Sequence, residues 1–187
     1  IHSANEVGYI LAENISRSIE EFANLMNQKA VEIGCTNTHF TNPSGIHDEN
    51  HYSTAHDMAL IAKYCMENEE FRKVVSKPSC KIAPTDKFEE RYFVNSNDLI
   101  RESSKYYYSY AIGIKTGYTS QAKNCLVAGS SKDGLELITV VLGAQTLENG
   151  DSARYVDTIN LFEYGYSNYK YQTLANQNSV VQEINIP

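Results

Sequence analysis

The chain has 187 residues, of which 42% are hydrophobic and 21% charged, a composition typical of a folded domain and not of a disordered segment. Its net charge of −7 argues against nucleic-acid binding, because neutralising phosphates requires a basic face. No apolar run is long enough to span a membrane, and no signal peptide is recognisable. The four cysteines have no zinc-ligand spacing, so we expect free thiols and no cofactor.

The first half of the chain is predicted to be mainly helical. Ser18 and Glu21 have the spacing of a capping box, in which each side chain satisfies a free backbone N–H at a helix start. Apolar residues then recur at helical spacing as far as Gly34, which is predicted to end the helix. Residues 42–45 (Asn-Pro-Ser-Gly) are typical of a turn, and a second helix is predicted to begin at Thr54.

The second half is predicted to contain most of the strands. Residues 76–90 have no clear period, and we expect irregular structure with short strands. Residues 110–115, 125–130 and 135–142 are predicted strands, the last two joined as a hairpin at Asp133-Gly134. A helix follows from residue 152 to about 164 and is predicted to end at Gly165. Residues 180–186 form a last predicted strand, which indicates a second, truncated β domain.

Three short motifs carry candidate chemistry: Ser3-Ala4-Asn5, Lys115-Thr116-Gly117 and the single Arg154. Each has an ordinary structural alternative. Ser3 could cap the helix that follows it, and Lys115 could be a solvated lysine near the end of a strand. Arg154 could be a surface residue paired with a neighbouring aspartate. Short motifs of this kind occur often by chance, so their order and surroundings decide between the interpretations.

Their order and surroundings resemble the D-alanyl-D-alanine carboxypeptidase family, the small penicillin-binding serine peptidases. This family carries Ser-x-x-Lys, then Ser-x-Asn, then Lys-Thr-Gly. The segments that carry the resemblance are residues 3–5, 27–30, 39–45, 51–59, 95–99 and 113–119. The resemblance implies an α/β (α+β) fold, a serine β-lactamase/transpeptidase-like domain with an antiparallel sheet flanked by helices. It covers residues 1–166, a partial domain, and residues 167–187 would begin a small C-terminal β domain.

The resemblance also implies the reaction and its residues. A serine attacks the penultimate carbonyl of a peptide ending in D-Ala-D-Ala, D-alanine leaves, and water hydrolyses the acyl-enzyme. Ser3 would relay a proton to the leaving amine, and Asn5 would bind the substrate peptide. Lys115 would supply positive charge, Thr116 would hydrogen-bond the terminal carboxylate, and Arg154 would add a second cation.

Two further roles follow from the same resemblance. Gly117 would leave room for an extended substrate beside the strand, and the backbone N–H of Tyr118 would form half of an oxyanion hole. The nucleophile and its lysine should precede Ser3, so we expect them upstream of Ile1 and the chain inactive alone. Ser120 and Lys123 do fit Ser-x-x-Lys, but they follow Lys-Thr-Gly in a predicted loop, and we interpret them as coincidence.

A cluster of four histidines invites a metal interpretation: His39, His47, His51 and His56. His47 and His51 are four residues apart, but none of the four histidines begins the helical His-Glu-x-x-His motif that zinc proteases use. We therefore predict turn and cap roles for these histidines and no metal.

The resemblance implies peptidoglycan stem peptides and β-lactams as binding partners and an extracytoplasmic location. An exposed sheet edge could also support a homo-oligomer. Two alternatives stay open. A β-lactamase-like hydrolase would need a dedicated carboxylate to activate the deacylating water, and no segment is recognisable as its source. A non-catalytic module that binds cell-wall peptides would need no nucleophile.

Overall fold

The computed structural model describes residues 1–174 as a mixed helix and sheet fold, as predicted. The helices are α1 (Asn5–Ile15), α2 (Ile19–Glu32), α3 (Ala55–Met66), α4 (Glu69–Val75) and α5 (Ala153–Asn168), with a short 3-10 helix at Asp98–Ile100. The strands are β1 (Ser79–Ile82), β2 (Arg91–Val94), β3 (Ala111–Thr119), β4 (Lys123–Lys132) and β5 (Leu135–Ala144).

The central sheet is antiparallel and has the order β3-β4-β5, while β1 and β2 form a separate antiparallel ribbon. The β4–β5 hairpin is confirmed, with Lys132 paired to Leu135 across a two-residue turn. Asp133 and Gly134 both have positive φ, 50° and 81°, the conformation that lets a two-residue turn follow the twist of its strands. Within residues 1–174, β3 and β5 are the two edges of this sheet.

Helices cover both faces of the sheet, because successive residues of a strand point to opposite sides. On one face Val127 packs with Met66 of α3 and Val75 of α4. On the other face Leu126 packs with Phe162 of α5, and both are fully buried. Burying side chains of this size stabilises the fold by about 1.5–3 kcal/mol each. The sheet is therefore the middle layer that holds β3 in place.

The predicted helix starts are confirmed by their caps. Ser18 Oγ accepts a hydrogen bond from Glu21 N at 3.1 Å, and Thr54 Oγ1 accepts one from Asp57 N at 3.1 Å. The Glu21 carboxylate accepts from Arg17 N at 3.0 Å, so the reciprocal half of the box is shifted by one residue. Each contact satisfies a backbone donor that a helix start leaves free.

Two predicted boundaries are wrong, and one helix was not predicted. Residues 69–75, just before the segment predicted to be irregular, form α4, which the Asn68 side chain caps through Phe71 N at 3.0 Å. Gly165 does not end the last helix, which continues to Asn168. It is a packing glycine, since a Cβ there would lie 2.5 Å from Leu137 Cδ1. Strand β3 runs beyond Lys115 to Thr119, so Lys-Thr-Gly lies within a strand and not at its end.

Only some of the predictions for the C-terminal part concern residues that the structure describes. The predicted strand at residues 180–186 lies outside the described residues. Helix α5 crosses position 167, where we placed the domain boundary, and that boundary stays a prediction. Along residues 1–174, no helix combines the length and apolar character needed to cross a bilayer.

Candidate active site

The N-terminal segment is held against the β1–β2 ribbon and the loop that follows it. Ile1 O accepts a hydrogen bond from Ser96 N at 3.3 Å, and the rings of His2 and Phe93 lie 4.9 Å apart. Helix α1 is fixed farther along by Ser44 Oγ, which donates to Tyr9 Oη at 3.3 Å. These contacts bring Ser3 to strand β3.

Ser3 and Lys115 meet although they are 112 positions apart in sequence. Lys115 Nζ donates to Ser3 Oγ at 2.8 Å and to Thr116 O at 2.6 Å. Ser3 does not cap α1, because the N-cap is Ala4 and no side chain caps that end. Ser3 also has φ of 64°, a conformation uncommon outside glycine and often found at functional sites. The helix-cap alternative for Ser3 is therefore wrong.

Lys115 and Arg154 form a pair of neighbouring cations. Lys115 is exposed as a whole, but desolvation by the protein atoms around it, and then the positive charge of Arg154, lower its pKa. The Arg154 guanidinium carbon lies 4.7 Å from the centre of the Tyr155 ring. Its Nε is buried and has no hydrogen-bond partner among residues 1–174. Two cations at one place favour the binding of an anion.

The Thr116 side chain faces the loop after β2. It is 9% exposed, and its Oγ1 lies 2.6 Å from Ser96 Oγ. The backbone of Ser96 is held in turn by Tyr155, whose hydroxyl donates to Ser96 O at 3.0 Å. Motif reasoning gave no role to Ser96 or Tyr155. Ser96 lies in one of the segments that carry the resemblance, but its contact with Thr116 becomes visible only in three dimensions.

Two buried asparagines make this loop rigid. Asn95 Nδ2 donates to Val75 O at 3.2 Å and to Lys77 O at 3.0 Å, and its Oδ1 accepts from Asn97 N at 3.0 Å. Asn97 Oδ1 then accepts from Leu99 N at 3.1 Å. Side-chain amides that satisfy loop backbone in this way hold it in one conformation. Ser96, between them, is therefore placed accurately against β3.

Beyond Lys115 the outer part of β3 is open. A Cβ added at Gly117 would meet nothing closer than Cys125 Cβ at 3.7 Å, an ordinary contact. The Tyr118 side chain is 67% exposed. In residues 1–174, β3 pairs only with β4, so its other edge can accept an extended peptide. Asn5 begins α1 two residues after Ser3, with an exposed side chain that makes no hydrogen bond to the described residues.

The Ser-x-x-Lys match at Ser120 and Lys123 does not have the geometry of a nucleophile and its base. Residues 120–122 form the exposed turn between β3 and β4, and Lys123 has φ of 59°. The two side chains therefore do not lie one turn apart on a helix face, the arrangement that would bring them together. This agrees with our interpretation of the match as coincidence.

Of the four histidines, His39, His47 and His51 lie in loops, and His56 lies in the first turn of α3. His39 Nδ1 is 2.6 Å from Asn50 O, and His51 Nδ1 accepts from Thr41 N at 3.2 Å. Burial lowers the pKa of His51, which favours its neutral, accepting form. Across the described residues, no three His, Cys, Asp or Glu side chains are grouped to hold a metal ion.

Comparison with known proteins identifies the family. A sequence model of the S11 peptidases, described as D-alanyl-D-alanine carboxypeptidase, matches residues 1–146. The chain belongs to the D-alanyl-D-alanine carboxypeptidase family. A curated relative, DacF of Bacillus subtilis, is 36% identical over 187 residues, which are 100% of this chain and 45% of that protein. DacA of Haemophilus influenzae is 33% identical over 171 residues, 90% of this chain and 40% of its own length.

Solved structures of D-alanyl-D-alanine carboxypeptidases and related enzymes share the fold. One from Mycobacterium tuberculosis has a TM-score of 0.78 at 29% identity, covering 97% of this chain and 64% of that one. A variant of the Streptomyces K15 DD-transpeptidase has a TM-score of 0.75 at 31% identity, covering 87% and 63%. The chain thus spans less than half of these two curated carboxypeptidases and under two thirds of these two solved chains. The predicted transpeptidase-like fold is confirmed.

Proposed function

We propose that this chain supplies the carboxylate-binding and proton-relay side of a serine-type D-Ala-D-Ala carboxypeptidase. Such an enzyme removes the terminal D-alanine of peptidoglycan stem peptides through an acyl-enzyme. The observation that carries the proposal is the hydrogen bond from Lys115 to Ser3, beside Arg154, at the open edge of β3. Family membership supports the reaction class.

The substrate carboxylate is the proposed partner of the two cations. Lys115 and Arg154 repel one another when the site is empty, and an anion between them removes that cost. Thr116 adds a hydroxyl donor, and Arg154 adds its positive charge. Hydrogen bonds to charged groups contribute about 1.5–3 kcal/mol each. The end of the peptide is thereby fixed before any bond changes.

The peptide backbone is proposed to lie along the free edge of β3. An extended chain there would hydrogen-bond to strand backbone, and Gly117 leaves space for it. Asn5 would hold the peptide from the opposite side. The N–H of Tyr118 would donate to the oxygen of the attacked carbonyl, where negative charge develops in the transition state.

Ser3 is proposed to carry a proton to the departing D-alanine. Because Lys115 donates to Ser3 Oγ, the proton of that hydroxyl can point to the leaving amine. As the C–N bond breaks, Ser3 gives its proton to the nitrogen and takes one from Lys115. The lowered pKa of Lys115 makes this donation easier. The acyl group meanwhile stays on the attacking serine.

A polypeptide of these 187 residues is expected to bind but not to react. Acylation needs a serine activated by a base, and the Ser-x-x-Lys at Ser120 and Lys123 lies in an exposed turn and not on a helix face. Incubation with a fluorescent penicillin should leave the intact mass unchanged. A mass gain of one penicillin, mapped to Ser3 or Ser120, would show that one of these serines is a nucleophile.

Ligand binding tests the proposal directly. Titration of the isotope-labelled chain with N-acetyl-D-Ala-D-Ala should shift NMR signals around Lys115, Thr116 and Gly117. The C-terminal amide of the same ligand, and its L-Ala-L-Ala isomer, should bind more weakly. Lys115→Ala should remove the preference for the carboxylate. Equal binding of acid and amide by the unsubstituted chain would overturn the carboxylate-binding role.

We also propose the partners and location that this chemistry requires. β-Lactams carry a carboxylate beside a strained amide, so they fit the same cations. A substrate in the cell wall implies an extracytoplasmic location. The family match favours the carboxypeptidase over the β-lactamase-like alternative. The predicted homo-oligomer could form through a free edge of the described sheet, and sedimentation would measure the oligomeric state.

A further inference from the structure

Ser96 and Tyr155 have no assigned role so far. They connect Thr116 and Arg154, two of the groups that we propose bind the carboxylate. We propose that Ser96, held in place by Tyr155, is a positioning residue that keeps the Thr116 hydroxyl proton directed at the carboxylate of the ligand. This inference rests on the proposed function. Ser96 acts through Thr116 and does not itself touch the ligand.

The argument begins with the hydrogen count of the two hydroxyls. Each has one proton to donate, and the 2.6 Å contact between Ser96 and Thr116 uses one of the two. If Thr116 donates to Ser96, its proton is lost to the ligand. If Ser96 donates, the Thr116 proton is free for a carboxylate, and the polarised chain of hydroxyls strengthens that donation. A bound anion therefore selects the order Ser96 to Thr116 to carboxylate.

Tyr155 fixes the Ser96 end of this chain. Its hydroxyl donates to Ser96 O at 3.0 Å and accepts from Asp98 N at 3.3 Å, so it holds the loop on both sides of Asn97. The side chain is 1% exposed, and its ring stacks on Tyr106 at 4.8 Å. Burial raises the pKa of Tyr155, so the phenol keeps its donor proton at neutral pH.

Tyr155 also supports Arg154, the second of these carboxylate-binding groups. The Arg154 guanidinium lies over its ring, with the central carbon 4.7 Å from the ring centre. One buried side chain thus sets the position of Ser96, and through it Thr116, as well as that of Arg154. The positions of Thr116 and Arg154, the two carboxylate contacts, therefore both depend on Tyr155.

The fold offers a matched control elsewhere on α5. Ser130 Oγ and Tyr166 Oη lie 2.6 Å apart, the same separation as in the Ser96–Thr116 pair. Ser130 pairs with Ala111 at the opposite end of β3 from Gly117. Removing either hydroxyl there deletes a similar buried hydrogen bond without touching the proposed site.

The experiment measures affinities of the 187-residue chain for N-acetyl-D-Ala-D-Ala and for its C-terminal amide by NMR titration. Ser96→Ala and Tyr155→Phe should each weaken binding of the acid roughly threefold to tenfold, the value of one hydrogen bond. Binding of the neutral amide should change by less than about twofold. Ser96→Thr restores a hydroxyl and should recover most of the acid affinity. Ser130→Ala and Tyr166→Phe should leave the ratio of acid to amide affinity unchanged.

The outcomes separate this inference from the proposed function. If the unsubstituted chain does not prefer the acid over the amide, the proposed function fails and the positioning role fails with it. If it prefers the acid, and Ser96→Ala and Tyr155→Phe keep that preference, the positioning role alone is wrong. A parallel loss of acid and amide binding, or equal losses in the Ser130 and Tyr166 controls, also contradicts it, because a general loosening of the fold would act in that way. Tyr155→Phe keeps the buried ring, and Ser96→Ala tests the same chain of hydroxyls if the tyrosine variant does not fold.

Discussion

The two halves of strand β3 each contain a glycine, and the surroundings of the two glycines differ. Gly113 has φ of 117°, and a Cβ there would lie 2.8 Å from Val75 O. It follows a register shift at the start of the strand, where β3 passes close to the end of α4. Gly117 has an ordinary backbone, and a Cβ would meet nothing within 3.7 Å.

The difference extends to their neighbours. Ile114, beside Gly113, is buried in the core with Val127, whereas Tyr118, beside Gly117, is largely exposed. The first half of β3 is therefore determined by packing. Nothing in the described fold requires a glycine in the second half, which leaves room for the ligand that we propose lies against the strand.

The largest expected effect is a loss of stability at Gly113. Gly113→Ala should lower the free energy of unfolding by about 2–4 kcal/mol, because it combines backbone strain with a clash against Val75. Urea or thermal denaturation measures the loss. Gly134→Ala is the control, since Gly134 also has positive φ (81°) but nothing within 4 Å of a Cβ. It should cost only about 1–2 kcal/mol, and equal losses at both positions would remove the clash from the explanation.

The next largest effect is expected on ligand affinity, at Gly117. Gly117→Ala should leave the free energy of unfolding within about 0.5 kcal/mol, or raise it slightly, because alanine restricts the unfolded chain. Affinity for N-acetyl-D-Ala-D-Ala should fall about tenfold, since the methyl group occupies the space of the peptide. A variant that binds normally would show that the peptide does not lie against Gly117.

Removing Arg154 should change the titration of Lys115. The positive charge of Arg154 helps to lower the pKa of Lys115, so Arg154→Gln should raise that pKa towards the ordinary 10.5. In the unsubstituted chain, affinity for the carboxylate should therefore begin to fall at a pH below 10.5, as Lys115 loses its proton. Carbon-13 NMR of labelled lysine measures both. Arg101→Gln is the control, because Arg101 pairs with Asp98. A similar rise in that variant would mean that Arg154 has no special place beside Lys115.

The smallest effect is expected at Tyr118. Its side chain is 67% exposed, and its proposed contact uses the backbone N–H. Tyr118→Ala should therefore change the free energy of unfolding by no more than about 0.5 kcal/mol and leave ligand affinity nearly unchanged. Denaturation and the same NMR titration measure both quantities. A large loss of affinity would assign the recognition to the phenol ring in place of the backbone.

Local signals in the sequence were sufficient for much of the fold. The Ser18 and Thr54 caps and the Asp133-Gly134 hairpin depend on residues a few positions apart, and all three are confirmed. Gly165 misled the helix prediction because a glycine is also used where a helix approaches a strand, here at Leu137. Periodicity within α5 carries no information about what lies opposite it.

By itself the sequence determined the family and the identity of the candidate groups, because Ser3, Lys115, Thr116 and Arg154 occur in a specific order with specific segments between them. Only the tertiary structure decided which of them meet. The Lys115–Ser3 hydrogen bond, the pairing of Thr116 with Ser96 and the anchoring by Tyr155 each join distant parts of the chain. Such contacts have no local signature, since they arise where a loop held by buried asparagines and a helix packed on the sheet come together at one strand.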